Sequence, residues 1–356
     1  MNYDSVFITG GAGFVGSNLA LSFKSKYPDL RVIVMDNLKR RGAELNIKRL
    51  KDSGVDFIHG DIRNREDFPS IHFSAMIECS AEPSVMAGYN GSPLYVINTN
   101  LSGTINCLEE VRKRKADIIF LSTSRVYPYD KINNIKFTEG ESRFIWDKEQ
   151  NITGWSEKGI TEKFSLEGPR SLYGASKLCS ELILQEYISM YGIRGIINRC
   201  GVIAGPWQFG KVDQGVFTLW MLYHYFKKDG LKYIGFGGKG KQVRDLVHID
   251  DIFELLDIEL KGIDKFNGKV YNTGGGQKES LSLLEATEIC REITGNKINI
   301  DIDLNNRPAD LAIYTGDNSL IMKESGWFPR KIKEKILEDI YRWIKSEEKF
   351  IKTTLF

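Results

Sequence analysis

A tyrosine and a lysine four residues apart, Tyr173 and Lys177, are the pair in this 356-residue chain best suited to acid–base chemistry. On a helix they project from one face, one turn apart. Free tyrosine ionises near pH ~10, so service as a base near neutrality requires a shift of about 3 units, roughly 4 kcal/mol. An ammonium ~4 Å away in a partly screened site supplies about 4 kcal/mol. The spacing therefore suits a phenolate that takes a proton from a hydroxyl. Tyr-x-x-x-Lys also arises on amphipathic helices that do no chemistry, so the surrounding elements decide.

Those elements begin with Ser5-Val-Phe-Ile, an apolar run read as a buried strand, followed by Thr9-Gly-Gly-Ala-Gly-Phe-Val-Gly16 and a helix from Ser17 to Lys26. Gly11, Gly13 and Gly16 satisfy G-x-G-x-x-G, and Gly10 opens a second frame with Gly13 and Gly16. Such a turn needs glycine because it is tight, because backbone must approach a pyrophosphate, and because helix must pack close to strand. The second strand, Arg31-Val-Ile-Val-Met, ends at Asp36, placed to bond a ribose 2′-hydroxyl and repel a 2′-phosphate. Lys39, Arg40 and Arg41 could hold that phosphate or form a solvated basic turn; NAD is expected over NADP. Val55–His59 reads as a third strand leading to Gly60-Asp61, where Asp61 either reaches the adenine amine or caps a helix.

A fourth strand, Ala75-Met-Ile-Glu-Cys, runs into Ser80-Ala81-Glu82-Pro83. Ser92-Pro93 is a helix start, and Leu94, Ile97, Leu101, Ile105 and Leu108 predict one apolar stripe. Asn98 and Asn100 on that helix are surface or site residues. Asp117–Leu121 is a fifth strand, ending in Ser122-Thr123-Ser124-Arg125-Val126-Tyr127, and Gly195–Arg199 a sixth. Strand, turn and helix in repetition predict an α/β chain with a Rossmann-type doubly wound parallel sheet and a smaller C-terminal α/β substrate domain. The expected division is 1–200 for NAD, with an insertion or lid at 128–170, and 201–356 mainly for substrate, some segments returning to the first domain. Arg199, Arg244 and Arg307 are candidate partners of a diphosphate, since a guanidinium fork pairs with phosphate oxygens.

Net charge of +2 lacks the basic excess of a nucleic-acid binder. Five scattered cysteines without a C-x-x-C pair suggest neither a disulfide framework nor a metal site. No apolar run reaches membrane-spanning length, and the first strand lies almost at Met1, so a cytoplasmic protein is expected.

In order along the chain, Thr9-Gly-Gly-x-Gly-x-x-Gly16, Asp36-Asn37-Leu38, Gly60-Asp61, Thr123 four before Tyr127, and Tyr173-x-x-x-Lys177 resemble the extended short-chain dehydrogenase/reductase family. Gly240-Lys-Gln-Val-Arg-Asp245 with His248, Asn272-x-Gly-Gly275 and Arg307-x-x-Asp310 resemble its nucleotide-sugar branch. Asp36-Asn-Leu-x-Arg-x-Gly-Ala43, Gln208-Phe209 and Asp213-Gln214-Gly215 are similar to the members that epimerise carbon 2 of CDP-linked sugars.

The resemblance implies an NAD-dependent epimerase with Thr123, Tyr173 and Lys177 catalytic. It implies NAD on Gly10, Gly13, Phe14, Val15, Gly16, Asp36, Asn37, Arg41, Asp61, Ile62, Ser80, Ala81, Asn100, Tyr173, Lys177 and Arg199. A nucleotide-diphosphate sugar, CDP-linked by preference, would meet Ser124, Arg125, Gln208, Gln214, Gln242, Arg244, Arg307 and Asp310. A homodimer through the stripe helix and the helix of Tyr173 is also implied. A 4-epimerase, a 4,6-dehydratase and a non-catalytic NAD-binding protein are the competing readings. The chain departs from the family at Glu78-Cys-Ser-Ala-Glu82, where histidine and small apolar residues are common, and at Pro128 and Ala204.

Overall fold

The computed structural model describes residues 3–210 and 214–355; Asp213 lies outside them. Among the described residues, seven strands form the principal sheet: β1 (Ser5–Thr9), β2 (Arg31–Asp36), β3 (Asp56–His59), β4 (Ala75–Glu78), β5 (Asp117–Thr123), β6 (Gly195–Cys200) and β7 (Val270–Thr273). Their order is β3-β2-β1-β4-β5-β6-β7, and every neighbouring pair is parallel. A parallel sheet is covered on both faces, which is why most of these strands read as unbroken apolar runs. One face packs on α1 (Phe14–Lys26), through Leu19, Ala20 and Phe23. The other packs on α2 (Gly103–Arg114) and α3 (Leu172–Tyr191), through Cys107, Leu108, Val111 and Leu184. Between β1 and β4 the strand order reverses, which opens a crevice at their carboxyl ends.

A second layer holds strands Val202–Ala204, Val243–His248, Ser280–Ser282 and Ile313–Tyr314. Its apolar cluster gathers Trp220, Met221 and Leu222 of α4 (Val216–Phe226) with Ile336, Leu337 and Ile340. The chain does not divide cleanly at residue 200. Helix α5 (Ile249–Lys261) carries Ile252, Phe253 and Leu256 into the cluster of α1, and β7 pairs with β6.

Two expectations meet the structure here. Between residues 128 and 170 lie two short hairpins, Phe137–Glu139 with Phe144–Trp146 and Trp155–Ser156 with Gly159–Ile160. They are sewn to the second layer by Phe144 N–H to the Lys241 carbonyl at 3.0 Å and Ile160 N–H to that of Thr315 at 2.9 Å. None of the described residues of these hairpins lines the cavities described below. The stripe from Leu94 to Leu108 is also broken, because Asn98–Ser102 forms a π turn between Leu94–Ile97 and α2. The wider turn rotates the phase of the helix. Val96, Thr99, Asn100, Thr104 and Cys107 face inward, while Leu94 is 62% exposed.

No helix among the described residues is long and apolar enough to cross a membrane, and no group of His, Cys, Asp and Glu among them could hold a metal ion.

Candidate active site

The crevice holds a cavity of about 500 Å³ at the ends of β1 to β4. Gly10, Gly13, Phe14, Val15 and Gly16 line it, so the start of α1 points into it without an acidic side chain in its first turn. Backbone N–H groups and the helix dipole there favour an anion. A Cβ at Gly16 would stand 2.4 Å from the Gly10 carbonyl oxygen, so only glycine lets α1 begin this close to β1. Asp36, Asn37, Ile62, Ser80 and Ala81 complete the wall. The Asp36 carboxylate accepts the Ala12 N–H at 3.1 Å and the Leu38 N–H at 2.8 Å. Burial raises its pKa and these N–H bonds offset part of that rise. A glycine cradle, a helix N-terminus and a carboxylate at the second strand end suit a dinucleotide whose ribose hydroxyls are free.

Six residues expected at the cofactor do not line this cavity: Tyr173 lines the second one, Lys177 lines neither, and four others sit as follows. Arg41 is exposed and does not line the cavity; Lys39 and Arg40 do, because Gly42 at φ +95° turns the chain away immediately after Arg41. Lys39 Nζ lies 3.6 Å from the Tyr95 ring centroid, while Arg40 bonds the Gln214 side chain and, at 3.1 Å, the Phe209 carbonyl. Asp61 accepts from Arg63 Nη2 at 2.6 Å and Asn37 Nδ2 at 2.9 Å, contacts that overcome burial and hold its pKa at about 2. Asn100 is fully buried and acts on the loop behind the wall, accepting the Glu82 N–H at 2.8 Å and donating to Ser176 Oγ at 3.1 Å. Arg199 is 5% exposed, bonds Glu181 through Nη2 at 2.7 Å and the Tyr127 hydroxyl at 3.1 Å, and lines neither cavity. It neutralises an interior carboxylate.

A second cavity of about 470 Å³ opens beside the first and shares Pro83, Val202, Gln214 and Gly215 with it. Thr123, Ser124, Arg125, Tyr173, Gln242, Arg244, Arg307 and Asp310 line it, with Trp220 and Tyr223. Arg244 Nη2 pairs with Asp310 Oδ1 at 2.7 Å, and Arg125 Nη1 donates to the Ala309 carbonyl at 3.2 Å. Burial pushes Arg125 down to about 10. Gln208 belongs to the first cavity instead, its amide held by the Ile203 carbonyl at 3.0 Å and the Thr218 hydroxyl at 2.8 Å.

Helix α3 places Tyr173 in the wall of the second cavity. Ser171 caps it, accepting the Gly174 N–H at 3.2 Å, and a Cβ at Gly174 would meet the Arg125 carbonyl oxygen at 2.1 Å. Glycine therefore lets the first turn of α3 abut the turn after β5, which brings Tyr173 to Thr123. Burial raises the Tyr173 phenol, and Lys177 and the Thr123 hydroxyl pull it back. Lys177 Nζ lies 3.4 Å from Glu78 Oε2 and 4.0 Å from the Phe120 ring centroid. Glu78 is the partner that reasoning from sequence missed. Its signal was a lone acid closing the apolar strand Ala75-Met-Ile-Glu.

A doubly wound sheet with a glycine cradle in one cavity, Thr123 and Tyr173 in the cavity beside it, and Lys177 one turn along the helix of Tyr173 defines an extended short-chain dehydrogenase/reductase. The chain belongs more narrowly to the NAD dependent epimerase/dehydratase family, which matches residues 6–274, and NAD is its cofactor. It is 32% identical over 352 residues to CDP-paratose 2-epimerase of Salmonella typhi, covering 96% of this chain and 99% of that one. It is 26% identical to UDP-glucose 4-epimerase of Erwinia amylovora over 363 residues, 95% of this chain and 97% of that one. The fold matches that of UDP-glucose 4-epimerase from Bifidobacterium longum, solved with NAD+ and UDP, at a TM-score of 0.79 and 22% identity, covering 97% and 99% of the two chains.

Proposed function

We propose that this enzyme inverts carbon 2 of a CDP-linked sugar, using residues 1–200 mainly for NAD and 201–356 mainly for the sugar nucleotide. The observation that carries the reading is Tyr173 and Thr123 lining the second cavity, which adjoins the cavity of the glycine cradle through Pro83, Val202, Gln214 and Gly215. The full-length likeness to a CDP-paratose 2-epimerase supports the choice of carbon and base. Tyr173 takes the hydroxyl proton at its phenolic oxygen, and Thr123 bonds the reacting oxygen. Lys177, one turn along α3, lowers the cost of the phenolate. Arg125, Arg244 and Arg307 present guanidinium groups to the diphosphate. NAD, when bound on Gly10, Gly13, Phe14, Val15, Gly16 and Asp36, supplies the hydride acceptor and donor that a transient ketone requires.

A 4-epimerase is the second reading, favoured by the full-length likeness to UDP-glucose 4-epimerase. Dehydration is disfavoured because Ser124 and Arg125, not acids, follow Thr123. The test is a panel of CDP-, UDP-, dTDP- and GDP-sugars in heavy water without added cofactor, read by NMR. Inversion at carbon 2 of a CDP-sugar, with the original hydrogen retained, is expected. Inversion at carbon 4 selects the second reading, and solvent deuterium at the inverted carbon overturns the redox mechanism.

A homodimer through α2 and α3 completes the proposal, since Leu94, Leu182, Met190 and Tyr191 expose 62, 53, 68 and 49% of their surface on or beside these helices. Sedimentation as a monomer at micromolar concentration would refute it.

A further inference from the structure

The Glu78–Lys177 pair lies under the site, and the acid–base chemistry above does not use Glu78. The carboxylate ends β4, between Thr9 of β1 and Phe120 of β5, and is 0% exposed; Lys177 is 2% exposed. A structural salt bridge in such a place would fill its lone pairs, because burying a charge is costly unless its bonds are made. Glu78 Oε2 meets the ammonium, yet Oε1 is buried with no hydrogen-bond partner. The Ser80 N–H and the Thr9 hydroxyl also act on the carboxylate, so the pair is held from several sides. It fixes where the lysine's charge sits relative to Tyr173, one turn away.

We propose that Glu78 is a positioning residue for the Tyr173–Lys177 proton-transfer pair. Its carboxylate anchors the ammonium at the base of the site and balances its charge, which sets the pH range in which Tyr173 serves as a base. The other titratable groups facing the pair are Cys79 on β4, Cys107 on α2 and Cys200 on β6, all raised by burial and so neutral. Arg125 faces Tyr173 from the turn after β5. Glu78 is the one carboxyl among these groups; burial raises it too, and Lys177 is the largest influence that pulls it back toward the charged form. This inference rests on Tyr173 being the base.

The test follows the Cζ resonance of Tyr173 against pH in the 13C-tyrosine-labelled protein as purified, assigned by its loss in Tyr173→Phe. Glu78→Gln keeps the shape and removes the charge, so the Tyr173 midpoint should fall by about one pH unit, the size expected when a nearby like charge is removed. The acid limb of kcat/KM should move with it. Glu78→Asp, which keeps the charge on a shorter arm, should show a smaller shift in the same sense; it is the decisive variant if Glu78→Gln does not fold. A lowered melting temperature with an unmoved midpoint would make Glu78 merely structural and overturn the proposal. An upward shift, as when Lys177 sheds its unpaired proton, would overturn it too. The titration needs no sugar, so it decides the role of Glu78 even if no nucleotide sugar in the panel reacts.

Discussion

The two cavities are built by different means. Most of the wall of the first comes from consecutive strand ends, from Gly10 to Thr99, and much of its chemistry is backbone: a glycine cradle, a helix start and a carboxylate held by two N–H groups. The second draws Thr123–Arg125, α4, Leu231–Arg244 and Arg307–Asp310 from far apart in the chain. Three of its long side chains, Arg125, Arg244 and Gln242, are each tethered by another group, as Gln242 Nε2 is by the Ile234 carbonyl at 2.6 Å. A site made of backbone tolerates drift in side chains elsewhere. One assembled from tethered side chains changes selectivity when any tether moves, which fits a family that keeps NAD and varies the sugar.

The largest effect should come from Tyr173 in the second cavity. Tyr173→Phe keeps the ring and removes the proton acceptor, so turnover should drop roughly 10²–10⁴-fold while NAD stays bound. Near-full activity, or loss of NAD from the purified variant by mass and absorbance, would break the division between the cavities. The arginines sharpen it next. Arg199→Met strands Glu181, which is 1% exposed, and should cost about 3–5 kcal/mol of stability in denaturant unfolding. Arg244→Met should instead raise KM for the nucleotide sugar roughly 10–100-fold, the worth of a charge-assisted bond. If the two variants exchanged phenotypes, the assignment of Arg199 to the interior would be wrong.

Asp36→Ala tests the backbone-built cavity itself. It frees the Ala12 and Leu38 N–H groups and removes the repulsion toward a 2′-phosphate beside Lys39 and Arg40. NAD should bind roughly 10-fold more weakly and NADP should gain, by calorimetry on apo protein. Tighter NADP than NAD binding by the unaltered enzyme would sink the reading.

The same contrast explains what the sequence disclosed. The glycine turn, Asp36 and the Tyr-x-x-x-Lys spacing are local, and each β-branched run met its strand within two residues at its ends. Arg199, Arg41 and Gln208 misled because a residue type carries no record of its partner. Arg199 looked like a diphosphate ligand until Glu181, eighteen residues back on α3, claimed it. The π turn at Asn98–Ser102 was hidden because the Leu94–Leu108 spacing also fits an unbroken helix. Glu78 was hidden for the opposite reason, since its partner lies 99 residues away.

Asp61 gives the smallest and most discriminating prediction, because sequence and geometry disagree about it. By sequence it either reaches the adenine amine or caps a helix, and the family resemblance puts it at NAD; in the structure both carboxylate oxygens accept from Arg63, and Oδ2 from Asn37 as well. Its pKa of about 2 lies below the unfolded value near ~3.9, so its stabilisation is present above pH ~4 and is lost as pH falls toward 2. Arg63 is one-third exposed, at 34%, and solvent screens the pair, which brings the expected contribution down to about 1 kcal/mol. Asp61→Asn should lower the melting temperature at pH 7 by a few degrees, and the gap from the unaltered protein should close below pH ~4. NAD affinity should stay within about 2-fold, a change of less than ~0.5 kcal/mol. A variant that kept its stability but lost NAD affinity would return Asp61 to the cofactor and show that the first cavity, like the second, depends on a side chain released from its neighbours.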